Sequence, residues 1–207
     1  MNKLLVFFIF IINSMLFSFE IPDNVTVIDL SKDESSYSDE RKDKEIYYVL
    51  VTDDYYFTIM DTERGIRFSY SIKTPKIDLD LNYTKLFGHN IVYLENKTGT
   101  DKIKLSSNIG GFYLSEFDIT DNSYRCQAFS PSVYDEYSKV SDLHKKLKKM
   151  INDYGNDLDV VFYKLLYYSE GNSVLDNSKT VRANYKSFYK DFLTMLDLYR
   201  DMTIDRL

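Results

Sequence analysis

From Ile46 to Phe129 the chain is written in short runs that alternate apolar and polar residues. Ile66, Phe68, Tyr70 and Ile72 oppose Arg67, Ser69, Ser71 and Lys73, and Ile77, Leu79, Leu81 and Tyr83 oppose Asp78, Asp80 and Asn82. A period of two places one set of side chains in a core and the other in water, as a half-buried strand requires. Strands are predicted over 46–52, 55–60, 66–73, 77–83, 91–95, 102–106, 112–118 and 124–128, with a shorter one at 25–30. Their links carry turn chemistry: Asp53-Asp54, Gly65 after Asp61–Arg64, Gly99 within Asn96–Thr100, and Asp121-Asn122-Ser123. This spacing predicts an antiparallel β-meander of about eight strands, closed into a small barrel or left as an open sheet.

Beyond Ser130-Pro131-Ser132 the period changes. Val133, Tyr137, Val140, His144, Leu147, Ile151 and Tyr154 recur in alternating steps of four and three, and Gly155 ends the series. Leu158, Val161, Phe162, Leu165 and Leu166 form a second stripe that stops at Gly171. Val181, Tyr185, Phe188, Phe192, Met195, Tyr199 and Met202 repeat the four-three spacing. Apolar stripes at helical spacing predict a C-terminal helical hairpin or three-helix unit, so the fold class is α+β. The four-three faces could also pair the chain with a second copy of itself.

The N-terminus differs from both regions. Lys3 precedes an unbroken apolar run from Leu4 to Ile12, and Ser18 is a small residue ahead of Phe19-Glu20. That is the layout of a secretory signal peptide. As a helix, Leu4–Phe19 would reach about 24 Å, short of a hydrocarbon core of roughly 30 Å. The expected organisation is therefore a signal peptide over 1–18, a strand and charged linker over 19–45, the β region over 46–130 and the helical region over 131–207. The mature chain is expected to be secreted or periplasmic, with no membrane span.

Composition narrows the function classes. The chain has 207 residues, 26 Lys plus Arg against 32 Asp plus Glu, and a net charge of -6. Loss of residues 1–18 removes Lys3 alone among charged residues and leaves -7. An acidic total disfavours nucleic acid as a partner, because phosphates must be neutralised by clustered cations. A single cysteine, Cys126, provides no intrachain disulfide framework. Ala occurs only at 128 and 183 while Tyr occurs 19 times, a bias that AT-rich coding alone produces, so Tyr abundance by itself assigns no function. Asn24, Asn82 and Asn96 stand in Asn-x-Ser/Thr sequons.

Few residues carry candidate chemistry. His89, in Phe87-Gly88-His89-Asn90, is read as lying in a loop before a strand and is the residue placed like a general base. His144 falls in the apolar register of the first helix, which suits a packed or interfacial histidine. Asp78, Asp80 and Asn82 imitate the start of a calcium-binding loop, but Tyr83 stands where that loop needs Gly and His89 where it needs Glu. No phosphate-cradling Gly loop, zinc spacing or nucleophile elbow occurs, and no cofactor is implied. Lys145, Lys146, Lys148 and Lys149 make a dense basic cluster, which suits either a solvated helix face or contact with an anionic surface. The sequence therefore leads to a non-catalytic exported protein that binds a lipid, glycan or protein in or outside the envelope. The alternative is a secreted hydrolase built on carboxylates, since such pairs are assembled in space and leave no local motif.

Overall fold

The computed structural model describes residues 19–30, 45–75, 77–78, 85–105, 113–118, 123–129, 137–169, 172–178 and 180–204. For residues 77–78, 85–90, 113–118, 123–129, 137–139, 166–169 and 173 the backbone alone is described. Four strands open the fold as a meander: β1 (Thr26–Asp29), β2 (Glu45–Val51), β3 (Tyr55–Thr62) and β4 (Gly65–Lys73). Their register keeps Tyr48 opposite Ile59, and Ile59 opposite Phe68. Along β3 buried and half-buried residues alternate without a break, as the period-two pattern requires.

The meander then divides. β5 (Ile77–Asp78), β8 (Tyr113–Asp118) and β9 (Ser123–Phe129) complete a seven-stranded sheet, in which β9 pairs with β4, β5 and β8. β6 (Lys85–Asn96) and β7 (Lys102–Lys104) belong to a second, five-stranded sheet. There β6 pairs with β10 (Leu158–Ser169). The opposite edge of β10 is shared by β11 (Asn172–Asp176) and β12 (Val181–Ala183). All these pairings are antiparallel. The fold is α+β, an open antiparallel sheet architecture with two C-terminal helices, α1 (Tyr137–Tyr154) and α2 (Phe188–Ile204).

Residues 158–169 correct the expected second helix. Leu158, Val160 and Phe162 enter the core from one face of β10, yet Val161 on the other face is also fully buried. A strand buried on both sides loses its alternation, and its apolar residues then coincide with a helical stripe. Its Val, Phe and Tyr content, which favours strands, is the signal that decides correctly. Val181 and Tyr185 are likewise not helical, since Val181 lies in β12 and α2 begins at Phe188. Gly155 does end α1, at φ +55°, a conformation in which glycine has no Cβ to clash. The predicted strand 77–83 is seen only at Ile77–Asp78, the rest lying outside the described residues.

One continuous apolar cluster joins both sheets to both helices. Its centre is α2, in which only Lys190 and Ile204 are exposed. Phe192 stacks on Phe57 at 5.3 Å and on Phe68 at 5.9 Å, with interplanar angles of 15° and 10°. Phe188 meets Tyr55 edge-on at 5.1 Å, and Tyr199 meets Phe68 at 6.2 Å. α1 covers the neighbouring part of the core with Val140, Leu143, Leu147 and Met150. Truncating Phe192 to Ala should cost about 3–5 kcal/mol, because the ring is fully buried and both of its stacking partners would face a void. Urea unfolding of the variant measures this, and a loss below about 1 kcal/mol would contradict the stacked geometry.

Candidate functional site

The second sheet carries a polar network on the face turned away from the core. Glu95 on β6 lies opposite Asp159 on β10, and Tyr93 opposite Val161, which in turn faces Arg182 on β12. Glu95 is 0% exposed. The Tyr163 hydroxyl lies 2.8 Å from each of its carboxylate oxygens, and Arg182 Nη2 donates to Oε2 at 3.1 Å. Arg182 Nη1 reaches Asp159 Oδ2 at 3.4 Å. Asn184 Nδ2 sits within 3.0–3.2 Å of Asp159 Oδ1, Leu158 O and Asn156 O, which ties the chain after β12 to the start of β10. Tyr93 meets Tyr163 edge-on at 5.9 Å, with Lys102 Nζ 4.7 Å above the Tyr93 ring. Burial, followed by the bond to Glu95, raises the Tyr163 phenol above its ordinary range.

This arrangement holds a carboxylate rather than presenting one. Glu95 is fully buried and bonded to Tyr163 and Arg182, so its carboxylate is closed to a substrate in this geometry. Its partners come from 68 and 87 residues away, which is why no local motif announced them. Removing Arg182 leaves a buried anion with less compensation. Because the guanidinium is 39% exposed and partly screened, Arg182→Ala should cost about 1–3 kcal/mol. Adding Glu95→Gln should recover part of that loss in a double-mutant cycle, whereas simple additivity would show that the two groups are not coupled.

The residues singled out in the sequence are not gathered together. His89 lies within β6 opposite Leu165, in a strand rather than the expected loop, and its side chain is outside the described residues. Asp78 pairs with Ser123 across β5 and β9, while Asp80 and Asn82 lie outside the described residues. Among the described residues no group of three His, Cys, Asp or Glu side chains is placed to hold a metal ion. His144 is buried, with Nε2 2.8 Å from Asp197 Oδ1, which joins α1 to α2. Arg200 completes that cluster, 3.1 Å from Asp197 and 3.0 Å from Asp201. Lys145, Lys146, Lys148 and Lys149 are all exposed, spread over roughly 160° of the α1 surface by helix geometry. Lys149 is paired with Asp153 at 2.6 Å. Cys126 lies on β9 opposite Leu114, with its side chain outside the described residues. Of the sequons, Asn24 is exposed, Asn82 lies outside the described residues, and Asn96 is buried with its amide donating to Thr100 Oγ1 at 3.0 Å.

The outer face of the first sheet is different in character. Register places Ile28, Tyr47 and Met60 in one row, Val49 with Thr58 in the next, and Val51 with Tyr56 in a third. Val51 is 70% exposed and Ile28 43%, and the others are half-buried. The patch is aliphatic and aromatic apart from Thr58, gives way to Arg67 and Ser69 on β4, and is edged by Glu45, which accepts the Tyr47 hydroxyl. No protein-family model, no curated protein and no solved structure matches this chain.

Tyrosine-to-carboxylate bonds recur across the molecule: Tyr47 to Glu45, Tyr55 to Asp191 at 2.7 Å, Tyr154 to Asp101, and Tyr163 to Glu95. Their phenols are all shifted upward. Tyr47 is pushed up to about 12 mainly by its bond to Glu45, Tyr55 mainly by burial, and Tyr154 mainly by its bond to Asp101. A folded-state pKa above the unfolded value of about 10 gives stability that is complete below pH ~10 and lost as pH rises through the folded value. Stability should therefore decline above pH ~10, and in the folded protein Tyr47 should ionise near pH 12. Phenolate absorbance against pH, compared in buffer and in denaturant, tests this: identical curves would remove these bonds from the stability account.

Proposed function

We propose that the chain is an exported binding protein, secreted or periplasmic once residues 1–18 are removed, with no catalytic role of its own. The observation that carries this reading is the outer face of the first sheet, where Val51 stands 70% exposed beside Tyr47, Val49, Tyr56 and Met60. Apolar side chains left open to solvent on a sheet face suit contact with a ligand or partner. An open sheet face suits an extended glycan, a lipid surface or a peptide, where a catalytic site needs convergent polar groups in a cleft. Export is supported by the Lys3, Leu4–Ile12 and Ser18 layout.

The described helices include none long and apolar enough to cross a membrane. The four-three stripe of α2, which suggested pairing with a second copy, is used within the fold through Phe188, Phe192, Met195, Tyr199 and Met202.

N-terminal sequencing of the protein recovered from separated cell fractions tests export. The expected result is a mature chain beginning close to Phe19 outside the cytoplasm; an intact Met1 in the cytosol would overturn it. The face is tested separately with immobilised oligosaccharides and with phospholipid vesicles as probes. Val51→Glu combined with Tyr56→Ala should reduce retention on the responding probe about tenfold, with little change in Tm. Equal retention by the variant would place the contact elsewhere.

A further inference from the structure

Two of the Asn-x-Ser/Thr sequons fall on described residues, and the fold treats them in opposite ways. Asn24-Val25-Thr26 lies where the chain enters β1. The segment from Pro22 to Val25 is a tight turn, closed by the Val25 N–H donating to the Pro22 carbonyl at 2.9 Å. Val25 is buried in the apolar core, whereas Asp23, Asn24 and Thr26 are exposed. Thr26 lies opposite Val49 in the ladder to β2, so its side chain stands on the outer side of the first sheet. The buried valine anchors the segment and leaves open the two groups that N-glycosylation reads, the asparagine amide and the hydroxyl two residues on.

Asn96-Lys97-Thr98 carries the same motif in a closed setting. Asn96 is 4% exposed. Its Nδ2, the atom that bears the sugar in an N-glycan, donates to Thr100 Oγ1 at 3.0 Å, and its Oδ1 accepts the Asp101 N–H at 3.3 Å. Thr98 Oγ1 lies 2.9 Å from Thr100 Oγ1, drawn into the same turn between β6 and β7. A sugar on Asn96 breaks the bond to Thr100 and has to be buried, and a bulky polar group cannot be accommodated there without opening the turn. A copy modified at Asn96 before folding therefore fails to complete that turn.

We propose that Asn24 is an N-glycan acceptor of this chain and that Asn96 is not. In the transfer, a bond forms from Asn24 Nδ2 to the anomeric carbon of an oligosaccharide carried on a lipid diphosphate. The anomeric C–O bond breaks, the lipid diphosphate leaves, and the amide gives up one proton. The donor and the transferase belong to the exporting cell, so the assignment rests on the export reading above. A glycan at Asn24 extends from an exposed turn and displaces nothing in the core, because the inward residue of the sequon is Val25.

The full chain, produced in a cell whose secretory pathway N-glycosylates, tests the site in two versions. One keeps its own residues 1–18, and the other has them replaced by a leader of proven export. Peptide-N-glycosidase digestion in heavy-oxygen water converts a glycosylated asparagine to labelled aspartate, and peptide mass spectrometry locates the label. The expected result in the soluble, folded protein is a label at Asn24 and none at Asn96. Asn24→Gln and Thr26→Val should each abolish the label at that turn, and Tm measured after removal of the glycan should be unchanged, since both positions are exposed. An unlabelled Asn24 behind the proven leader would overturn the inference, as would a label at Asn96 in the folded protein. A label at Asn24 behind the proven leader, with the chain on its own leader unlabelled in the cytosol, upholds the acceptor and removes the export reading instead.

Discussion

The stacking of Phe192 on the neighbouring rings of Phe57 and Phe68 is the contact on which the remaining structure depends. It fixes α2 against β3 and β4, and α2 is the element to which the rest of the core attaches. The second sheet contributes Val92, Leu94, Leu158, Val160 and Phe162 to the same apolar cluster, and α1 contributes Val140, Leu143, Leu147 and Met150. A helix of 17 residues can fill this role only if it is apolar over most of its circumference, and α2 is. α1 has one apolar face and a charged opposite face, and so it covers rather than fills.

Tyrosine explains how such a core is closed at its edges. Each ring adds apolar area inside, and each hydroxyl finds a polar atom at the boundary. Tyr70 donates to the Leu105 carbonyl and so links the two sheets, Tyr185 donates to the Lys73 carbonyl, and Tyr55 to Asp191. Tyr154 and Tyr189 tie α1 and α2 to Asp101 and Asn156 at the ends of the second sheet. A coding bias can supply the tyrosines, but the fold puts these to consistent use, as aromatic packing with a polar tip.

The two sheets turn unlike outer faces to their surroundings. The second sheet is sealed by its own Glu95, Arg182, Asp159 and Tyr163, a network whose bonds are satisfied internally. The first sheet leaves Ile28, Val51 and their half-buried neighbours unsealed. An internally satisfied face adds rigidity, whereas an unsealed apolar face gains by meeting something else. The left-handed Lys164, at φ +56°, falls one residue past Tyr163, where that network ends.

The sequence by itself determined the α+β class, the strands from Ile46 to Lys73, the end of α1 at Gly155 and the helical register from Phe188 to Met202. Each of these is a local, periodic signal with one face toward a core, and such signals survive without knowledge of partners. Only the tertiary structure decided that residues 158–169 form a strand, because burial on both faces erases the alternation that would have revealed it. It alone divided the meander into two sheets, and it alone joined Glu95 to Tyr163 and Arg182. Those partners lie 68 and 87 residues apart in the chain, and no spacing along a sequence encodes a contact made by folding it back on itself.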